Sequence, residues 1–204
     1  MKDVITIINF GMGNIGSLVN MFNRIGAKTE VTSKMEVIAK AKKIILPGVG
    51  KFDSAIERID ELGIRKLLLK KALIEEIPFL GICLGMQLLL DRSEEGSLIG
   101  LGIIPGKAIR FPRNDSFKVP HMGWNTVSIK AHNKLTYNLS ENLQYYFVHS
   151  YYVKVNNPVN SFMTSNYHFN FDSGIVHNNI FGLQFHPEKS HKYGIEILKN
   201  FWEL

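Results

Sequence analysis

What most constrains this chain is a lone cysteine between two apolar runs, in Pro78-Phe79-Leu80-Gly81-Ile82-Cys83-Leu84-Gly85-Met86-Gln87-Leu88-Leu89-Leu90. The run before Cys83 reads as a strand and the run after it as a helix, with a glycine two residues to either side. A side chain that projects from a sharp strand-to-helix turn forces its neighbours against other backbone, and glycine removes the Cβ that would clash there. The first turn of the helix offers N–H groups with no partner inside the helix, which suit negative charge and favour a thiolate over a thiol. Free cysteines are also common in buried cores, but a core position alone gives no reason for the paired glycines.

A nucleophilic thiol needs a base, and the base needs a group that orients it. Gln184-Phe185-His186-Pro187-Glu188-Lys189-Ser190 follows the apolar run Ile180 to Leu183, which reads as a strand. His186 therefore falls at a strand end, where functional side chains of α/β proteins collect. In an extended segment residues two apart point the same way, so Glu188 is expected to reach the His186 ring across Pro187. By itself this is also what a surface turn looks like; together with the cysteine turn it makes Cys83, His186 and Glu188 the candidate catalytic triad.

Attack on an amide puts charge on the carbonyl oxygen, where fixed N–H donors are worth most. Lys43 to Leu46 reads as a central strand closed by Pro47-Gly48-Val49-Gly50. Glycines at a strand's carboxyl end offer backbone N–H groups to a ligand. Candidate oxyanion donors are the backbone near Val49 and Gly50 and the N–H of Leu84, directly after the nucleophile. Glycine on both sides lets a peptide in this segment turn a donor toward or away from the oxyanion, which would gate hydrolysis.

A chain of 204 residues with 45% hydrophobic composition buries a sizeable core and fits one domain over residues 1–204. One cysteine excludes an internal disulfide and favours a reducing compartment, so the cytoplasm is expected. Met1 to Ile8 is too short in its apolar part for a secretory signal, and no run approaches a membrane span. The net charge of +6 gathers at Lys40, Lys42 and Lys43 and at Arg65, Lys66, Lys70 and Lys71. The second group is interleaved with leucines and reads as a solvated helix face, and no nucleic-acid motif or stacking aromatic series accompanies it. Gly11-Met12-Gly13-Asn14-Ile15-Gly16 lacks both a Walker lysine and the acidic residue of a dinucleotide site, so nucleotide is not expected there. No metal or other cofactor is expected.

Taken in order, the chain alternates strand and helix: strand Val4–Asn9, helix Ile15–Ile25, strand Thr29–Val31, helix Met35–Lys40, strand Lys43–Leu46, helices Phe52–Asp60 and Ile64–Glu76, then the strand that delivers Cys83. This implies an α/β fold with an open, mainly parallel sheet flanked by helices. After Asp91 short β-rich pieces follow at Ile103–Phe111, Trp124–Ile129, Tyr145–Val155, Ser161–Phe169 and Ile175–Leu183. They read as antiparallel additions to the same sheet, before a final helix over Lys192–Phe201. Val119-Pro120-His121-Met122-Gly123-Trp124-Asn125 reads as a constrained loop, either plugging the core or rimming an interface.

Gly-Ile-Cys-Leu-Gly-Met-Gln with Gln-Phe-His-Pro-Glu-Lys-Ser resembles the class I glutamine amidotransferases, in which Cys, His and Glu release ammonia from glutamine. The P-G-V-G, H-M-G-W-N and F-V-H-S-Y-Y segments look like those of the glutaminase subunit of imidazole glycerol phosphate synthase, and the likeness runs from Asn9 to Phe201. It implies L-glutamine as substrate, with Gln87 and the backbone of His149, Ser150 and Tyr151 as contacts. It also implies Met122, Trp124 and Asn125 at the rim facing a partner, a cyclase/synthase subunit of the HisF type built as a (β/α)8 barrel. Gly16 departs from the arginine usual in that subunit. This leaves room for a paralogous branch that feeds ammonia to surface-sugar modification. A non-catalytic scaffold of the same fold would need neither the triad nor the P-G-V-G segment.

Overall fold

Runs of β-branched and apolar residues form the first strands, β1 (Ile5–Ile8), β2 (Thr29–Thr32), β3 (Lys43–Gly48) and β4 (Phe79–Cys83). The structure is a computed structural model and describes residues 4–112, 118–140 and 142–204. Met1 to Asp3, part of the opening read as unsuited to a secretory signal, lie outside the described residues. Helices α1 (Ile15–Ile25), α2 (Met35–Lys40) and α3 (Phe52–Glu61) alternate with these strands as the periodicity predicts. The helix expected over Ile64–Glu76 is shorter: α4 spans Arg65–Leu69 and widens into a π turn over Lys70–Ile74.

The sheet order is β2-β1-β3-β4-β12-β11-β10-β7-β8. The first five strands are parallel, and β12 (Ile180–Leu183) is one of them, paired with β4 rather than being an antiparallel addition. A crossover of nearly a hundred residues returns the chain beside the cysteine strand, a topology the local pattern of Ile175–Leu183 does not carry. The antiparallel part holds β7 (His121–Ile129), β8 (Gln144–His149), β10 (Ser161–Tyr167) and β11 (Phe169–His177). A branch formed by β5 (Arg92–Ser93), β6 (Gly106–Arg110) and β9 (Tyr151–Val155) joins it at β11. The constrained loop expected at Val119–Asn125 is a strand from His121 onward, because its residues pair one for one with β8 despite Gly123.

Side chains of a strand alternate between faces, and the core divides accordingly. Ile44, Leu46 and Phe79 pack with Phe52, Ile56, Ile59 and Leu68 of α3 and α4. On the other face Ile45, Leu80 and Ile82 pack with Leu18 and Phe22 of α1 and with Ile197, Leu198 and Phe201 of α6 (His191–Glu203). A parallel sheet covered on both faces explains why β1, β3 and β4 are apolar runs rather than alternating ones.

Two lysines are buried, Lys71 against the expectation of a solvated helix face and Lys43 at the start of β3. Lys71 Nζ donates to the Ala41 carbonyl at 3.1 Å and to Glu75 at 2.7 Å, and Lys43 Nζ donates to the Trp202 carbonyl. A buried ammonium is tolerable only with such acceptors, and acceptors supplied by distant backbone leave no local pattern. Among the described residues no helix is long and apolar enough to cross a membrane.

Candidate active site

The cysteine turn is as sharp as the paired glycines imply. Cys83 ends β4 with φ 54° and ψ −108°, a conformation costly for a residue with a side chain, and five-residue helix α5 (Leu84–Leu88) begins at the next residue. A Cβ on Gly85 would lie 1.8 Å from the Leu46 carbonyl oxygen, and one on Gly81 would lie 2.6 Å from that of Gly85. Both glycines are therefore fixed by backbone contact.

Strand β12 runs parallel to β4 with Leu183 opposite Ile82, so the chain leaving β12 passes beside Cys83. His186 is held there by its backbone N–H, which donates to the Tyr146 carbonyl at 2.9 Å, and by its carbonyl, which accepts from Ser190 Oγ at 2.6 Å. Pro187–Lys189 forms a 3-10 turn rather than an extended segment. The turn still brings Glu188 Oε1 to 2.8 Å from His186 Nδ1, with both side chains buried. His186 Nε2 is buried and makes no well-formed hydrogen bond, and the Cys83 thiol is within reach of this ring. Burial alone would disfavour the imidazolium. The negative charge and hydrogen bond offered by Cys83, with Glu188 behind the ring, outweigh it and raise the His186 pKa to about 10.

Beside the thiol opens a cavity of about 300 Å³. Val49, Gly50 and Leu84 line it together with Gln87, His149, Ser150 and Tyr151. Every residue expected at the oxyanion or at the substrate thus borders one space that also contains Cys83. Gly48 lies opposite Cys83 in the β3–β4 register, which carries Val49 and Gly50 just past the nucleophile. Gly50 adopts φ 112°, a value open to glycine.

A family model described as glutamine amidotransferase class-I matches residues 6–204. The chain belongs to the class-I glutamine amidotransferases. Imidazole glycerol phosphate synthase subunit HisH 2 of Methanococcus maripaludis is 51% identical over 97% of this chain and 98% of its own. The subunit of the same designation from Pseudomonas aeruginosa is 44% identical over 98% of this chain and 100% of its own. Among solved structures, PurLQS from Thermotoga maritima has a TM-score of 0.73 at 18% identity, covering 100% of this chain and 99% of its own. At that identity the likeness shows the fold.

In this glutamine amidotransferase two further residues stand at the site with no role legible in the sequence. Glu95 lines the cavity and its Oε2 accepts the Phe52 N–H at 2.9 Å, at the start of α3. Its loop is tied down by Asp53, whose carboxylate accepts the N–H groups of Ser97 and Leu98 at 2.9 and 3.1 Å. Those bonds hold the Asp53 carboxyl below its usual range, the Ser97 N–H contributing most. Gln184 Nε2 lies 3.9 Å from Cys83 Sγ. An acidic loop residue carries no sequence signal of its own, and Gln184 opens the Gln-Phe-His-Pro-Glu-Lys-Ser motif without a role legible from it.

The three rim residues separate. Met122 and Trp124 share the outer face of β7 and are 61% and 46% exposed, with the Trp124 ring stacked on His191 at 5.5 Å. Asn125 faces the other way, toward His121 and the Asn166 carbonyl. His149 is not placed as a base: its ring nitrogens meet the His121 ring and the Tyr151 carbonyl. Burial pushes both rings toward the neutral form, His121 to about 4 and His149 to about 3.

Proposed function

We propose that this chain, acting as one domain over residues 1–204, is a glutaminase subunit of imidazole glycerol phosphate synthase. It hydrolyses L-glutamine and supplies ammonia to a synthase subunit with a (β/α)8 barrel. The observation that carries the chemistry is the Glu188–His186 pair, 2.8 Å apart, set against a thiol on a strained turn that opens into a cavity. The family match supports glutamine as the substrate, and the likeness to subunits named for that synthase supports the acceptor.

The Cys83 thiolate attacks the side-chain carbonyl carbon of glutamine, and the oxyanion is met by N–H groups of Leu84 and of the Val49–Gly50 segment. His186 gives its proton to the leaving nitrogen as the C–N bond breaks, leaving a thioester and ammonia. Water then attacks the thioester, His186 takes its proton, and glutamate leaves as the thiolate is restored. Glu188 orients the ring throughout. At the cavity wall Glu95 suits the ammonium of an amino-acid substrate, while Gln87 and the backbone at His149–Tyr151 suit its remaining polar groups.

Ammonia released into open water would be diluted and protonated, so the site is covered by the barrel at Met122 and Trp124. Large flexible and aromatic side chains exclude water well where two proteins meet. The cytoplasm, where a free thiol persists, is the setting. Glutamine turnover by the chain alone, compared with turnover in complex with a barrel subunit loaded with acceptor, tests this reading. Stimulation by the loaded partner supports it, and equal rates contradict it.

A second reading keeps the chemistry and changes the acceptor, with a paralogous pair passing ammonia to surface-sugar modification. Gly16 in place of the usual arginine favours it. Nothing fills the space where a Cβ at Gly16 would sit, so packing does not require glycine there. Product formation from the histidine precursor ribotide, against none, separates the two.

A further inference from the structure

The carbonyl of Tyr151 can only accept hydrogen bonds, and two side chains converge on it. His149 Nδ1 approaches at 2.7 Å and Gln87 Nε2 at 3.3 Å. That single acceptor fixes the proton positions along two arms. On one, His149 must carry its proton on Nδ1, so its Nε2 accepts, and His121 Nδ1, 2.9 Å away, must donate. His121 Nε2 then accepts from Asn125 Nδ2 at 3.1 Å. The far end agrees independently: Asn125 Nδ2 also donates to the Asn166 carbonyl at 2.9 Å, and its Oδ1 accepts the Thr126 N–H at 2.7 Å. On the other arm, Gln87 Nε2 also donates to Gln184 Oε1 at 3.2 Å, which turns Gln184 Nε2 toward Cys83 Sγ at 3.9 Å.

The result is two arms that meet at the Tyr151 carbonyl, one reaching the inner face of β7 and the other the nucleophile. Neither histidine can gain a proton without setting two donors against each other somewhere along the first. The β7–β8 register places His121 opposite His149, and His121 is stacked between Phe147 at 4.8 Å and Tyr167 at 4.2 Å, so the ring has little freedom to turn. Space filling alone would favour apolar side chains here, because each buried polar group costs free energy unless it is paired.

We propose that His121 is a positioning residue for the thiol chemistry: as a neutral Nδ1–H ring it fixes His149 and with it the place of the Tyr151 carbonyl, the anchor from which the Gln87 amide holds Gln184 and its N–H against the Cys83 thiolate. The inference rests on Cys83 being the nucleophile. The outer face of the strand that holds His121 is the one assigned above to the partner, so displacement of β7 on docking is transmitted to the thiolate through this anchor.

Cys83 is the chain's one cysteine, so alkylation by iodoacetamide reports on that thiol alone. His121→Phe keeps a ring in the stack and removes both nitrogens, and Gln184→Met keeps side-chain length and removes the amide. Below the plateau of the pH–rate profile, Gln184→Met is expected to slow alkylation about tenfold, the worth of one hydrogen bond to a charged group. His121→Phe should slow it about threefold, and the double variant no more than Gln184→Met alone, because residues of one hydrogen-bonded network are not additive. His121→Gln, which keeps a donor and an acceptor, should recover most of the rate. Nitrogen-15 correlation spectra should show the proton of both rings on Nδ1.

An unchanged alkylation rate in folded His121→Phe, losses that multiply in the double variant, or a proton on Nε2 of either ring would overturn the proposal. If Gln184→Met does not fold, the comparison of His121→Phe with His121→Gln decides. A wild-type complex that leaves glutamine untouched while these alkylation differences hold would defeat the glutaminase reading and leave this one standing.

Discussion

His186 Nδ1 and Glu188 Oε1 lie 2.8 Å apart, each side chain 2% exposed, on a turn that holds the ring against the Cys83 thiol. A carboxylate so placed fixes the tautomer and steadies the imidazolium but does not itself transfer the proton. His186→Ala is therefore expected to lower glutamine turnover by about six orders of magnitude, and Glu188→Gln by about four. Steady-state ammonia release in the assembled complex measures both. A Glu188 variant as impaired as the His186 variant would place the carboxylate in the proton transfer itself.

Gly50, at φ 112°, borders the cavity where the oxyanion forms. An added Cβ is strained by that φ and would meet Met12 Cε at 2.7 Å, the end of a flexible side chain. Gly50→Ala should therefore fold while misplacing a donor, and loss of one donor is worth about 3 kcal/mol, roughly a hundredfold in rate. The partner-stimulated rate should fall by about that factor, with a smaller change in the rate of the isolated chain. Thermal melting alongside the two rates checks that the loss is not unfolding.

Trp124 is half-exposed and rests on His191, so it is not held in the chain's own core. Trp124→Ala should leave the melting temperature of the isolated chain within a few degrees. It should weaken partner binding or release free ammonia per glutamine consumed. Calorimetric affinity and the ratio of glutamine used to product made are the measurements. No change in either would remove this face from the interface.

His121 and His149 give the pH prediction. Burial depresses both; the neighbouring His121 and His186 rings depress His149 further, and the Tyr151 carbonyl opposes this. The folded state refuses protons that the unfolded chain accepts below about 6.5. Stability from this pair is therefore whole above pH 6.5 and lost as pH falls toward about 4 for His121 and about 3 for His149, by about 2 kcal/mol for each ring at pH 5. Urea unfolding at pH 7 and pH 5 reads it, and His121→Phe should lose less between the two than the wild type does. An equal loss would place the linkage elsewhere.

The parts legible in the sequence were those enforced by local backbone sterics. Gly81 and Gly85 are fixed by atoms a few residues away or on the adjoining strand, and the His-Pro-Glu spacing works within one turn. What escaped depends on pairing between distant strands. β12 joins the parallel sheet only through a long crossover, Lys43 and Lys71 find carbonyls far along the chain, and the His121–His149 contact needs the β7–β8 register. Asn125 parted from Met122 and Trp124 because the segment is a strand, in which neighbours in sequence face opposite sides.

Acid quench of the complex during glutamine turnover, followed by intact-mass and peptide analysis of this chain, tests the central claim most directly. The account predicts an adduct of glutamine less ammonia on the peptide bearing Cys83, absent in Cys83→Ala, whose complex still makes product from added ammonia. Continued release of ammonia from glutamine by Cys83→Ala, or an adduct on any other residue, would contradict it.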